Sequence, residues 1–370
     1  MPKTGPTPKS AVQGSSKNTV DTGSARAGSC AAAGNSTRSG DRPLLGSPAG
    51  VVASRGTGGV GAIEDLAWAD GSPGDERQLG EIFCLTFTKG VDEAEALRRM
   101  GALPDTVATR TVEDIGELHD FDHGYPTVAS ALSLGAWTVV FEPNGFEGAH
   151  LVEALSRGTE AVSVLRHDYA SHSFGYAVDG RLITGFDPTF PSYRHGADPD
   201  RLLPRMLEVG FTEDDEGQFD DTIARCLLVV EHVTGVLPAF DALTGPLTSA
   251  QIEPWFSEGR RKPASRPGLG EPVDAMAEVR RLTGLHGLTD TPGLADALAA
   301  AERGEPVDVT PDSPLGTHVR AWLTESSRAS WSLNDHGGRH RMTEAQRSRA
   351  FELGWLARAL GAALRPDLVR

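Results

Sequence analysis

The chain has 370 residues, a net charge of −16 and a hydrophobic fraction of 39%, which is enough for one sizeable core. It shows no run of about 18 apolar residues and no apolar leader, so we expect neither a membrane span nor a secretory signal. Its three cysteines lie far apart without CxxC spacing, which excludes a disulfide framework and predicts a cytoplasmic protein.

The charge is unevenly distributed along the chain. Residues 1–60 carry seven basic and two acidic residues, whereas residues 61–260 carry 13 basic and 35 acidic residues, a net −22. An acidic core repels a phosphate backbone, so we expect no nucleic-acid partner for it. The partners that fit are another protein with a basic surface or a small molecule.

The first 60 residues are rich in Gly, Ser and Thr and have no periodic apolar positions. Such a segment cannot offset its ordering entropy by burial, and we predict a disordered tail over 1–60. The stretch 56–61 matches GxGxxG, but the strand and helix that a dinucleotide loop needs do not flank it. We interpret it as a glycine-rich linker.

Residues 61–245 predict an α+β domain, a mixed β-sheet with packed helices. The apolar run 82–87 predicts a strand buried on both faces, with Cys84 as a small core residue. Helices are predicted at 92–100 and 149–157, each followed by glycine. Further strands are predicted at 106–110, 128–134, 136–142, 160–167, 171–178 and 181–187.

A candidate binding edge follows from this topology. Strand 136–142, its helix and strand 160–167 form a βαβ unit, so the two strands are parallel if they share a sheet. Strand 181–187 then points the same way, and three strands end on one edge, where α/β sheets favour ligands. The candidate residues at this edge are Glu142, Asn144, His167, Asp168 and Asp187.

Two interpretations of this edge stay open. An acid, a histidine and a second acid there could perform general acid–base chemistry. Alternatively, Asp and Asn are common residues before turns, and a carboxylate at a strand end can simply cap the next helix. Asn144 or Glu147 could do so for helix 149–157.

No cofactor or metal site is predicted. His119 and His123 lie four residues apart with Asp120 and Asp122 between them, but the Gly-Tyr-Pro that follows favours a loop and no third ligand is evident. The chain lacks GxSxG, Walker and kinase motifs. Cys226 lies in an apolar helix and is interpreted as a core residue.

The second half of the chain predicts mainly helices. One begins at Asp198-Pro199, and a more apolar one covers 223–233. Residues 246–272 predict a linker by composition. An all-helical region is predicted over 273–365, with helices at 273–283, 293–303, 315–333 and 343–364. The basic stretch 336–341 is predicted to be a loop between the last two helices.

Several motifs in order resemble an uncharacterised family of actinobacterial proteins, domain of unknown function 6461, over about residues 61–240. They include Leu97-Arg98-Arg99-Met100-Gly101, 135–145 with Trp137 and Glu142-Pro143-Asn144-Gly145, 155–163, Phe186-Asp187-Pro188 and Asp198-Pro199-Asp200-Arg201-Leu202. The resemblance implies no activity, since none is assigned to the family.

The sequence leaves three hypotheses about function. The first is a non-enzymatic module that binds a protein or ligand in a bacterial regulatory, stress or defence system. It rests on the acidic surface and on the absence of a catalytic motif. The second is a hydrolase-like enzyme that uses Glu142, His167 and Asp187. The third is a structural protein that assembles through its C-terminal helices.

Overall fold

A computed structural model describes residues 62–72, 74–214, 217–257, 259, 273–335 and 337–365. The predicted disordered tail, the glycine-rich loop at 56–61 and most of the predicted linker lie outside these residues. Within the described ranges, no helix combines the length and the apolar character needed to cross a membrane.

One sheet organises the fold. Its nine strands in the described ranges are β1 (Ile82–Lys89), β2 (Ala108–Arg110), β3 (Val128–Leu134), β4 (Trp137–Pro143), β5 (Glu160–His167), β6 (Ser173–Val178), β7 (Arg181–Asp187), β8 (Phe190–His195) and β9 (Leu247–Gln251). Their order across the sheet is β2-β9-β3-β4-β1-β5-β6-β7-β8.

Helices cover the sheet and form the C-terminal region, so the α+β class is confirmed. They are α1 (Glu93–Arg99), α2 (Val112–Glu117), α3 (Glu147–Leu155), α4 (Leu203–Glu208), α5 (Thr222–Thr234), α6 (Phe240–Thr244), α7 (Ala275–His286), α8 (Leu294–Glu302), α9 (Pro314–Trp331) and α10 (Glu344–Leu364). A 3-10 helix at Ile63–Ala69 precedes the first strand.

The expected mixed sheet is wrong in one respect, because every neighbouring pair among these strands is antiparallel. β1 lies between β4 and β5 and runs against both. The two strands of the β4–α3–β5 unit are therefore parallel but not adjacent. As predicted, β4, β5 and β7 end on the same edge, which we call the carboxyl edge.

The two faces of the sheet differ in character. The face toward α5 is a large apolar core with Phe83, Phe87 and Phe141 among its fully buried side chains. The face under α1 and α3 carries small and polar residues, including the buried side chains of Thr86 and Ser163. Small residues let a helix approach the sheet closely, and α3 does so.

Two strands are absent from the sequence prediction. β8 has the sequence Phe-Pro-Ser-Tyr-Arg-His, and its proline is tolerated because β8 is an edge strand. β9 falls within the predicted linker 246–272, which is wrong for 247–251. The sequence of β9, Leu-Thr-Ser-Ala-Gln, has only a weak apolar pattern. The strand is stabilised by pairing with β2 and β3 on either side.

The C-terminal helices pack against the sheet region through specific contacts. The indole N–H of Trp255 donates to the carbonyl of Ala357 at 2.7 Å. The side chain of Arg328 donates to the carbonyl of Phe121 at 3.2 Å, and the rings of Tyr125 and Trp331 stack with centroids 4.2 Å apart. The predicted helix at Asp198-Pro199 begins later, at Leu203, after a turn.

Candidate functional site at the carboxyl edge

Glu142, at the end of β4, acts as a cap for α3. Its carboxylate accepts the backbone N–H of Glu147 at 2.9 Å and that of Gly148 at 2.7 Å. Backbone N–H groups in the first turn of a helix have no intrahelical partner, so a buried acceptor there stabilises the helix. The alternative interpretation of helix capping therefore describes Glu142, rather than Asn144 or Glu147 as proposed from the sequence.

The environment of Glu142 is closed. Its side chain is fully buried, and this burial raises its pKa to about 7, while the hydrogen bond from Gly148 opposes the rise. A Cβ atom on Gly148 would lie 2.1 Å from Thr86 Oγ1 and 2.7 Å from a Glu142 carboxylate oxygen. The helix thus seals the carboxyl group away from solvent, and no substrate can reach it in this conformation.

The predicted acid, histidine and second acid do not form one cluster. β4 and β7 are four positions apart in the sheet, which puts Glu142 and Asp187 roughly 19 Å from each other. Asp187 accepts the N–H of Thr189 at 2.9 Å, a turn contact. Asn144 is exposed, has a φ of 58° and donates its N–H to the carbonyl of Ile82. These geometries do not assemble the acid–base site of the enzyme hypothesis.

Asp168 serves a structural ion pair. It accepts two hydrogen bonds of 2.8 Å from the guanidinium of Arg166, which is buried. A third nitrogen of the same guanidinium donates to the carbonyls of Ala69 and Gly71 at 3.1 and 2.8 Å. The pair ties the N-terminal 3-10 helix to the sheet. Nearby, burial lowers the pKa of His172, whose Nδ1 accepts the backbone N–H of His167.

His167 is the predicted site residue that lies in an exposed group of rings. Its ring centroid is 6.1 Å from that of Phe146 and 6.5 Å from that of Tyr169. Phe146 contacts His150 on its other side at 5.5 Å. We call these four residues the edge ring cluster. Sequence reasoning missed three of them, although Tyr169 directly follows Asp168 and Phe146 lies two residues after Asn144.

The edge ring cluster has exposed rings and carboxylates beside them. Tyr169 is 72% exposed, and Phe146 is 38% exposed. The Tyr169 hydroxyl donates to the carboxylate of Glu81, and this contact raises the pKa of the phenol, so the ring stays neutral. Glu147 lies beside His150 at 3.9 Å. Aromatic faces next to carboxylates attract a cation rather than an anion.

The predicted histidine loop has a packing role. His123 Nδ1 lies 2.8 Å from a carboxylate oxygen of Asp120 within the loop. The ring of His119 packs edge-on against Tyr125 and Trp331, with centroids 5.1 and 5.4 Å away. Across the described ranges, no three His, Cys, Asp or Glu side chains are grouped in a way that could hold a metal ion.

Comparison with known proteins places this fold in a family. The model of a family described as "Family of unknown function (DUF6461)" matches residues 60–244, half of the chain. The chain belongs to this family. No curated protein and no solved structure shows significant similarity to it.

The DUF6461 match covers most of the sheet but ends before its last strand in chain order. It contains β1 to β8 and the whole edge ring cluster, and it ends at Thr244, just before β9. β9 pairs with both β2 and β3, so a strand from beyond the matched region links β2 to the rest of the sheet. The candidate site therefore belongs to the DUF6461 part of the chain, whereas the C-terminal helices lie outside the matched residues.

Proposed function

We propose that this protein is a non-enzymatic binding module whose carboxyl edge recognises a cationic side chain of a basic partner. The single observation that carries the proposal is the edge ring cluster, four rings in contact next to the carboxylates of Glu81 and Glu147. Fully buried acids such as Glu142 contribute to the fold and leave the cluster as the accessible chemistry of this edge.

Physical chemistry favours a guanidinium over an ammonium group as the ligand. A guanidinium is planar and weakly hydrated, so it stacks on aromatic faces while donating to carboxylates. A cation over an exposed ring gains about 0.5–1 kcal/mol for each contact. The net −22 of residues 61–260 adds a long-range attraction for a basic partner.

A peptide titration tests the proposal. The probe is a fluorescein-labelled peptide of alternating arginine and glycine, and its anisotropy is measured against the full chain. The double variant Phe146→Ala/Tyr169→Ala should weaken binding by about fivefold to 30-fold, the sum of two exposed cation–ring contacts. Replacing arginine by lysine in the peptide should weaken binding by a smaller factor, and replacing it by glutamate should abolish binding.

The matched control is Phe351→Ala, which removes a ring of similar exposure, 40%, from α10. It should bind the arginine peptide as the natural protein does. Equal affinity of the double variant and the natural protein would overturn the proposal. Binding of the glutamate peptide as tightly as the arginine peptide would overturn it too. The regulatory, stress or defence setting stays a prediction.

A further inference from the structure

A second group of exposed aromatic side chains lies on β8, the strand at one end of the sheet, and on a loop beside it. Phe190 and Tyr193 belong to β8 and are 38% and 64% exposed, and Phe219, which lies between α4 and α5, is 75% exposed. The rings of Phe190 and Tyr193 have centroids 6.5 Å apart. A Cβ on Gly217 would lie 3.0 Å from Phe190 and 3.4 Å from Phe219, so those two rings flank the same glycine. We call these three aromatic residues the β8 patch.

The β8 patch is distinct from the edge ring cluster. β8 is the last strand of the described sheet, three positions from β5, which carries His167. Three strand steps correspond to about 14 Å. Contiguous exposed apolar side chains on a protein surface often mark interaction sites. The partner of the β8 patch is therefore inferred separately from the ligand of the carboxyl edge.

The edge of β8 is blocked against strand addition. Pro191 has no backbone N–H, and its carbonyl accepts a hydrogen bond of 2.8 Å from the side chain of Arg194. Proline and occupied edge groups are devices by which sheets avoid pairing with another strand. A partner of this surface must therefore contact side chains, not the backbone ladder.

The charges around the patch select a basic partner. Arg194 is nearly buried, and its guanidinium pairs with Asp200 at 2.8 Å and with Glu213 at 3.1 Å. Asp220 and Asp221 follow Phe219 and are exposed. These four carboxylates together carry more charge than the guanidinium of Arg194. A second copy of this chain would bring two such sets of carboxylates together, which like-charge repulsion disfavours.

From these observations we infer that the β8 patch is a docking surface for an arginine-rich protein segment, which binds by stacking guanidinium groups on Phe190, Tyr193 and Phe219. Acidic residues such as Asp220 steer the segment and pair with its remaining charge. Arginine is favoured over lysine because its planar group stacks on rings. The inference stands independently of the ligand proposed for the carboxyl edge.

The test uses the full chain and the same fluorescein-labelled arginine–glycine peptide. The double variant Tyr193→Ala/Phe219→Ala should weaken binding by about fivefold to 30-fold, through the loss of two exposed cation–ring contacts. Both side chains are exposed, so thermal unfolding should be unchanged. Asp220→Lys, which keeps the rings, should weaken binding and reduce its salt dependence. The Phe351→Ala control should bind normally.

The possible results separate this inference from the proposed function. If Phe146→Ala/Tyr169→Ala weakens binding and Tyr193→Ala/Phe219→Ala does not, this inference fails and the carboxyl-edge proposal stands. The reverse pattern supports this inference alone. Analytical ultracentrifugation of the natural protein adds a check. A concentration-dependent dimer that Tyr193→Ala/Phe219→Ala abolishes would identify the patch as a self-association surface and overturn the inference.

Discussion

The buried carboxyl group of Glu142 makes a quantitative prediction about stability and pH. Its pKa rises from an ordinary 4.5 to about 7 because burial penalises the charged form. Between these values the folded state binds more protons than the unfolded state, so the free energy of unfolding falls as pH rises. A rise of about 2.5 pKa units corresponds to roughly 3 kcal/mol.

This contribution is fully present below about pH 4.5 and is lost as pH rises through about 7. Glu142→Gln cannot titrate, so it should lack this part of the pH dependence. Its amide oxygen can still accept one of the two N–H groups of α3, from Glu147 or Gly148, and the loss of the other acceptor lowers stability at low pH. The variant should therefore be less stable than the natural protein at low pH and regain roughly 3 kcal/mol relative to it at high pH.

Urea unfolding followed by circular dichroism, at a series of pH values from about 4.5 to about 8, measures the difference. The matched control is Glu113→Gln, an exposed glutamate in the first turn of α2. Its profile should run parallel to that of the natural protein. If the profile of Glu142→Gln is also parallel, Glu142 does not titrate with a raised pKa, and the claim that it holds a buried proton is refuted.

Two further predictions concern packing. Gly148→Ala should lower the free energy of unfolding in urea by about 1–3 kcal/mol, because its Cβ would collide with Thr86. The control is Gly116→Ala, whose Cβ would meet nothing packed within 4 Å, so this variant should be as stable as the natural protein or slightly more stable. Trp331→Ala removes the stack on Tyr125, so amides of the 119–125 loop should exchange faster in hydrogen–deuterium exchange, and unchanged protection would contradict the packing role of this loop.

Much of the sheet could be predicted because local patterns coincide with tertiary packing. The apolar run at 82–87 became β1, which is buried on both faces, and the predicted strands 171–178 and 181–187 became β6 and β7. The position of β1 between β4 and β5 could not be predicted, since sequence order does not reveal that a strand inserts into a crossover. β9 was missed because its stability comes from its two neighbours.

The candidate site could be predicted only in part. The topological argument correctly brought the ends of β4, β5 and β7 to one edge. It could not show how far apart Glu142 and Asp187 lie, because that distance depends on how many strands separate them. The accessible chemistry of the edge comes from rings such as Phe146 and Tyr169, whose proximity depends on the turn after each strand and leaves no spacing pattern in the sequence.

Photo-crosslinking shows directly whether the carboxyl edge contacts a cationic partner. Tyr169 is replaced by p-benzoylphenylalanine in the full chain, and the same replacement is made at Phe351, a 40% exposed aromatic position on α10, as a control outside the edge ring cluster. We expect capture of the arginine peptide at position 169 and not at position 351. Capture at neither position, or equal capture at both, would contradict recognition of a cationic partner at the carboxyl edge.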